Sequence, residues 1–352
     1  MVYTSSPSFT LPDLEGMFSI LPNWGRNPYH EAAREESRRW FAEYTETTFG
    51  PKMTAFFENC EFELCMSYCY PQLDYEGLRA VVDWANILWY LDELTDTETG
   101  KDAGQTAEIV CRTLRDPCYN DGTSLCRMIT DFRVNHLSRA GPETTRRFIE
   151  HCRKTFFAFS DEAELRARRV ILSINDYLTL RRENGSVRNC FDLAECFMGL
   201  DLPESVYRLP DFRKAYEAAV DLVCLTNDVY SYNAEQARGY PSSNIMTVVM
   251  KEKGLGLQEA SDYVGSLCRK LFDIFQASQR EIQKLAYNTD GASVNVLRDA
   301  LRGLEAYGHW VRGNAEWSFE TERYFGRDKK KIQSSLVVVL WPANSVSRSL
   351  EQ

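Results

Sequence analysis

The sequence predicts an all-α fold built as one domain. Apolar residues recur at helical period over most of the chain, no alternating strand pattern appears before the C-terminal tail, and no repeat or low-complexity linker divides it. With 352 residues, 44% of them hydrophobic and 12% aromatic, the chain can bury a large core.

Taken in order, Glu31 to Thr48 reads as a charged amphipathic helix stopped by Gly50-Pro51. Tyr75 to Leu94 spreads Leu78, Val81, Val82, Trp84, Ala85, Leu88, Trp89 and Leu91 over much of its circumference, as a buried helix requires. Further helical runs cover about 141–160, 163–180, 211–232, 257–285 and 292–323. The polar stretches Thr97–Thr106 and Gln236–Asn244 each follow an acidic cluster and are expected as loops, where the lids of a pocket would lie. The longest apolar run, Leu336 to Trp341, is stopped by Pro342 and reads as a tail strand or packed extension. The expected organisation is therefore a single domain over 1–352, with 326–352 as a C-terminal tail.

The charge balance narrows the partners. Lys and Arg total 41 against 51 Asp and Glu, a net charge of −10 with no basic stripe, which argues against nucleic acid or an anionic membrane surface as the main partner. No apolar run reaches the ~18 residues of a membrane span. Met1 to Pro7 lacks the charged-then-apolar pattern of a signal peptide, so a cytoplasmic protein is expected. The eleven Cys are scattered without paired CxxC spacing and read as reduced core residues; four His leave little scope for zinc.

Two clusters carry chemistry. Asn227, Ser231 and Glu235 stand at i, i+4 and i+8 of a helix-compatible run, so an amide, a hydroxyl and a carboxylate share one face. Such hard oxygen donors suit Mg²⁺, which is usually held jointly by protein and substrate phosphate. Upstream, Asp92 and Asp96 of Asp92-Glu93-Leu94-Thr95-Asp96 are also at i, i+4, and two such faces across one cavity would clamp a diphosphate. The two clusters differ in weight: the aspartate pattern arises by chance in roughly one chain in seven of this length, the Asn-Asp-x-x-Ser-x-x-x-Glu pattern in about one or two per hundred. Leu222, Val223, Cys224, Leu225, Val229 and Tyr230 surround the second cluster, and polar residues set among apolar ones must be satisfied by something.

Arg181 and Arg182, ahead of Gly185, and the pair Arg323-Tyr324 offer guanidinium and phenol groups of the kind a departing diphosphate needs. Singly, each is equally compatible with a solvated helix end complementing the dipole.

Together these motifs resemble class I terpene synthases, specifically the fungal (basidiomycete-type) sesquiterpene synthases. Arg181 precedes Asn227 by 46 residues, the family offset, and Leu21-Pro22-Asn23-Trp24, Asp83-Trp84 and Gly313-Asn314-Ala315-Glu316-Trp317-Ser318 are also family-like, so the likeness runs from about Phe9 to Phe325. It implies a helical bundle around a central active-site cavity. By position, Asp92 would be the main metal ligand of the first motif and Asp96 either a weaker ligand or a support behind the ligands, while Asn227, Ser231 and Glu235 hold the remaining Mg²⁺, three ions in all with bound diphosphate. Arg181 would sense the diphosphate, with Asn184 as linker and the Gly185 carbonyl as effector; Arg323 and Tyr324 would donate to the diphosphate. The sequence departs from the family pattern at Glu93, a common variant in these fungal enzymes that should leave Asp92 competent, and at Ala234, where many relatives carry Lys.

The substrate implied is farnesyl diphosphate, with geranyl diphosphate as an alternative, processed by a monomer or homodimer. The expected reaction is ionisation to an allylic cation followed by cyclisation, with C1-to-C11 closure towards protoilludene-type skeletons, or by quenching to an acyclic alcohol such as nerolidol or linalool. Trp89, three residues before Asp92, is the first candidate for a cation-stabilising wall; Trp310 and Trp317 are weaker candidates that read as more structural. A prenyl-chain-elongating enzyme would carry a second aspartate-rich motif in place of Asn227, Ser231 and Glu235. No DxDD motif is present for protonation-initiated cyclisation, and a non-catalytic helical binding protein would have no reason to keep every metal position.

Overall fold

The structure, a computed structural model, describes residues 7–45, 51–239 and 241–342, apart from the side chains of residues 51–53, 56, 96 and 241. Thr48 and Gly50 of the first expected helix and its stop, the N-terminal residues 1–6 and the end of the tail lie outside the described residues.

In chain order the elements are β1 (Ser8–Thr10), α1 (Leu14–Phe18), α2 (His30–Thr45), α3 (Pro51–Cys60), α4 (Phe62–Cys69) and α5 (Tyr75–Thr97). Next come α6 (Gly100–Arg115), α7 (Ser124–Asn135), α8 (Pro142–Ala167), α9 (Ile174–Asn184), α10 (Val187–Phe197) and α11 (Glu204–Tyr207). The chain closes with α12 (Pro210–Arg238), α13 (Ile245–Lys253), α14 (Leu257–Tyr287), α15 (Ala292–Ser318), α16 (Lys329–Ser335) and β2 (Val337–Val339).

The central helix is α12, buried on nearly every side from Ala215 to Ala234, which is why its sequence is apolar around most of its circumference. It packs against α14 and α15, while α8 packs against α6 and α10. Local chemistry sets the starts: Asp74 caps α5 by accepting from Gly77 N at 2.8 Å, and Ser173 caps α9 through Asp176 N at 3.2 Å. Around α5, Trp84 packs against Phe132 and Phe148 and donates to Asn189 Oδ1 at 2.9 Å, fixing the rotation that turns Trp89 and Asp92 inward.

The structure corrects the sequence reading in four places. The stretch 97–106 is not a loop: α6 begins at Gly100, capped by Thr99, and its buried face of Ala103, Ala107, Val110, Cys111 and Leu114 packs against α8. Gly100 allows this, since a Cβ there would lie 2.3 Å from Glu164 Cγ. The break expected between two helices near 161 lies instead at 168–173, because α8 runs on to Ala167 and Arg169 then turns the chain at φ 53°. The last long helix ends at Ser318 rather than 323. Finally, a strand does precede the tail: Phe9 pairs with Val338 in an antiparallel ladder, so the apolar tail run is a strand partner. Among the described residues no helix is long and apolar enough to cross a membrane.

Candidate active site

Helices α5, α9, α10, α12 and α15, with α4 and α8, enclose a cleft of about 770 Å³ including the space at its mouth. Trp89 and Asp92 face it from α5, Arg181, Asn184 and Gly185 from the end of α9, Asn227 from α12, and Arg323 from the segment after α15. Residues scattered from 89 to 323 in the sequence thus meet on one cavity.

Gly185 is required by close approach. A Cβ there would meet Cys224 Sγ at 2.5 Å and the Arg181 carbonyl at 2.8 Å, so α9 can reach α12 only with hydrogen at this position. The next residue, Ser186, lies on the cavity wall at φ 58°, a left-handed turn that redirects the chain into α10. Backbone strain of this sort persists where surrounding packing enforces it, commonly at functional sites.

The polar groups are bonded to one another. Arg181 donates from Nη2 to Asn227 Oδ1 at 2.8 Å, from Nε to Asp228 Oδ1 at 2.8 Å and from Nη1 to Asn184 Oδ1 at 3.3 Å. Asn227 Nδ2 in turn donates to the Tyr324 hydroxyl at 2.8 Å. Burial works most strongly on the Arg181 charge and against it, but Asp228 together with Cys224, Tyr177 and Glu162 outweighs burial, and the guanidinium is held well above its ordinary value. Asp228 is 2% exposed and also accepts from the Tyr177 hydroxyl and from Ile245 N at 3.2 Å.

Ser231 and Glu235 follow one and two turns along α12, beyond the residues that line the cleft. The Ser231 hydroxyl donates to the Asp228 carbonyl at 3.3 Å. Glu235 accepts from Asn244 Nδ2 at 2.9 Å, and burial, reinforced by Asp228, pushes its carboxyl up to about 7. The Asp96 side chain lies outside the described residues. Glu93 faces Arg323, with Oε1 3.7 Å from Nη1.

The donor set can be tested for a metal directly. Among the described residues no group of three or more His, Cys, Asp and Glu could hold an ion, so a site of the zinc kind has no seat. Asp92 and the Asn227 amide oxygen on facing walls, with the Ser231 hydroxyl and Glu235 carboxylate one and two turns further along α12, instead fit a hard divalent ion that takes its remaining ligands from a phosphate.

The rest of the wall is apolar and aromatic. Trp89 stacks on Phe62 with centroids 3.9 Å apart and planes at 12°, and Phe159, Trp310 and Trp317 line the same space. Trp310 and Trp317, the weaker wall candidates from the sequence, therefore face the cavity, which the packing of α15 decides. Three thiols, Cys65, Cys190 and Cys224, also line it, and nothing in their sequence surroundings sets them apart from the other buried cysteines. Asp228 did have a signal: a carboxylate inside a run as apolar as Leu222 to Tyr230 must be paired. Arg182 points elsewhere, its Nε and Nη2 bonded to Asp221 at 2.6 and 2.7 Å.

Comparison with known proteins shows the family and the fold. Residues 83–273 match the family described as terpene synthase family 2, C-terminal metal binding. The chain is 56% identical to viridiflorene synthase of Cyclocybe aegerita, over 98% of this chain and 89% of that protein. It is 44% identical to a sesquiterpene synthase of Sphaerobolus stellatus over 95% of both chains. Among solved structures, hedycaryol synthase superposes with a TM-score of 0.76 at 21% identity, covering 88% of this chain and 98% of that one, a likeness of fold.

Proposed function

The chain belongs to the terpene synthase family and is a sesquiterpene synthase that uses a divalent metal ion, and from that premise we propose that it binds farnesyl diphosphate with Mg²⁺ at the cleft between Asp92 and Asn227. The observation that carries the site assignment is the convergence of Asp92, Arg181, Asn227 and Arg323 on one aromatic-walled cavity. We read the chain as one catalytic domain with 326–352 as an extension of it.

Bound there, Mg²⁺ would neutralise the charge that builds on the diphosphate as the allylic C–O bond breaks. Asp92 would hold it on one side and Asn227, Ser231 and Glu235 on the other, with three ions and a supporting Asp96 as the fullest form of the proposal. Arg181 and Arg323 remain cationic at any working pH and supply fixed positive charge to the leaving group. Tyr324 adds a hydroxyl donor beside Asn227. Asn184 fixes the Arg181 fork, and the Gly185 carbonyl would turn its dipole towards the developing cation.

Trp89, Phe159, Trp310 and Trp317 offer ring faces that stabilise a carbocation without trapping it. Burial pushes the Cys224 thiol up to about 12 and raises Cys190 well above its usual range, so both stay protonated and weakly nucleophilic beside the cation.

The test is incubation of purified protein with farnesyl diphosphate and Mg²⁺, with and without isopentenyl diphosphate, and gas chromatography of the extract. A cyclic sesquiterpene formed without isopentenyl diphosphate supports the proposal, and a protoilludene-type skeleton would support the 1,11 closure expected from the sequence. Product formed only when isopentenyl diphosphate is added would make the enzyme a chain elongator instead. Loss of turnover in excess chelator, restored by Mg²⁺, tests the ion.

A further inference from the structure

We propose that Arg181 is a resting latch on the metal site: in the substrate-free enzyme its guanidinium, anchored by Asp228, occupies the Asn227 carboxamide oxygen that a metal ion would take, so that metal and diphosphate bind together rather than metal first. This rests on the reading of Asn227 as a metal ligand. Asn227 is spent at both ends, its Oδ1 on Arg181 Nη2 at 2.8 Å and its Nδ2 on the Tyr324 hydroxyl at 2.8 Å.

Arg181 is gripped from behind. Nε bonds Asp228 Oδ1 at 2.8 Å, and Asp228 is itself pinned by Tyr177 on α9 and by Ile245 N at the start of α13. A guanidinium cannot discharge itself by losing a proton. A dication seeking the Asn227 oxygen would therefore meet a fixed cation at bonding distance from its own ligand, in a partly desolvated place where charges are weakly screened.

An anion resolves the conflict. A diphosphate offers the Arg181 fork a better, bidentate partner, and once Arg181 turns to it, Asn227 Oδ1 is free for the ion that bridges the same diphosphate. Coupling of this kind is reciprocal, so whatever the diphosphate does for metal affinity, the metal does for diphosphate affinity.

The experiment is a Mn²⁺ titration of the full-length protein, followed by electron paramagnetic resonance, with and without inorganic diphosphate. The latch predicts that Arg181→Gln binds Mn²⁺ without diphosphate about ten-fold or more tighter than wild type, a coupling of ordinary allosteric size. Adding Asn227→Leu to that variant should erase the gain. Tyr324→Phe, which frees Nδ2 but leaves Oδ1 latched, should keep the wild-type value. Arg181→Met, which retains the aliphatic stem, gives the same reading if Arg181→Gln loses helicity. Unchanged Mn²⁺ affinity in both folded Arg181 variants, or an equal gain in Tyr324→Phe, would overturn the latch. Absence of Mn²⁺ binding to wild type even with saturating diphosphate would instead overturn the metal reading beneath it.

Discussion

Arg181 and Asp228 are joined across 47 residues by a 2.8 Å bond from Nε to Oδ1, and that bond aims the remaining guanidinium nitrogens at Asn184 and Asn227. The neighbouring arginine is committed differently, with both bonds of its fork spent on Asp221, a carboxylate 4% exposed.

Replacing the two arginines should therefore separate chemistry from stability. Arg181→Ala is expected to lower diphosphate release by about 10²–10³, the usual cost of one donor to a developing anion. Arg182→Ala should leave release within a few-fold but lower thermal stability by about 1–3 kcal/mol, because Asp221 keeps its burial and loses its partner. Steady-state release assays and thermal unfolding of both variants check this, and the reverse order of damage would place the sensor on Arg182.

Trp89 has two jobs in this account, wall of the cavity and stacking partner of Phe62. Trp89→Leu should cost about 1 kcal/mol from the lost aromatic pair and reduce release modestly. The larger effect should appear in the extract, shifted towards acyclic or early-quenched products as the cation loses a face that stabilises it. An unchanged product profile at unchanged rate would return Trp89 to ordinary packing.

His309 supplies a pH dependence of stability away from the site. It is 5% exposed on α15, and burial lowers its pKa from 6.5 to about 4, the Glu305 carboxylate 3.8 Å away being too exposed to offset this. A depressed folded-state value means the contribution is whole above pH 6.5 and is lost as pH falls towards 4, amounting to about 3 kcal/mol. Unfolding midpoints measured between those limits should fall for wild type and fall less for His309→Gln.

The all-α fold class was legible in the sequence, whereas the limits of several helices were not. Asn227, Ser231 and Glu235 stood out as candidates because their spacing puts them at successive turns of one helix, α12, and periodicity is what a sequence displays. Asp228, one residue on, acts through Arg181 on another helix, so its role has no period. The α6 stretch misled because Gly100 and Gly104 imitate a loop, whereas Gly100 serves close contact with α8. The turn at Arg169 carries neither Gly nor Pro, and only the packing of α8 and α9 accounts for it. Trp310 and Trp317 reach the cavity through the rotation of α15, which distant contacts determine.

Under the proposed function, Asn227 belongs to the machinery that draws off the diphosphate. Its most direct test is single-turnover diphosphate release from farnesyl diphosphate by Asn227→Leu beside wild type, each at saturating Mg²⁺ and matched helicity by circular dichroism. A loss of about two orders of magnitude or more with the helical fold intact is expected; release at near the wild-type rate would contradict that role of Asn227.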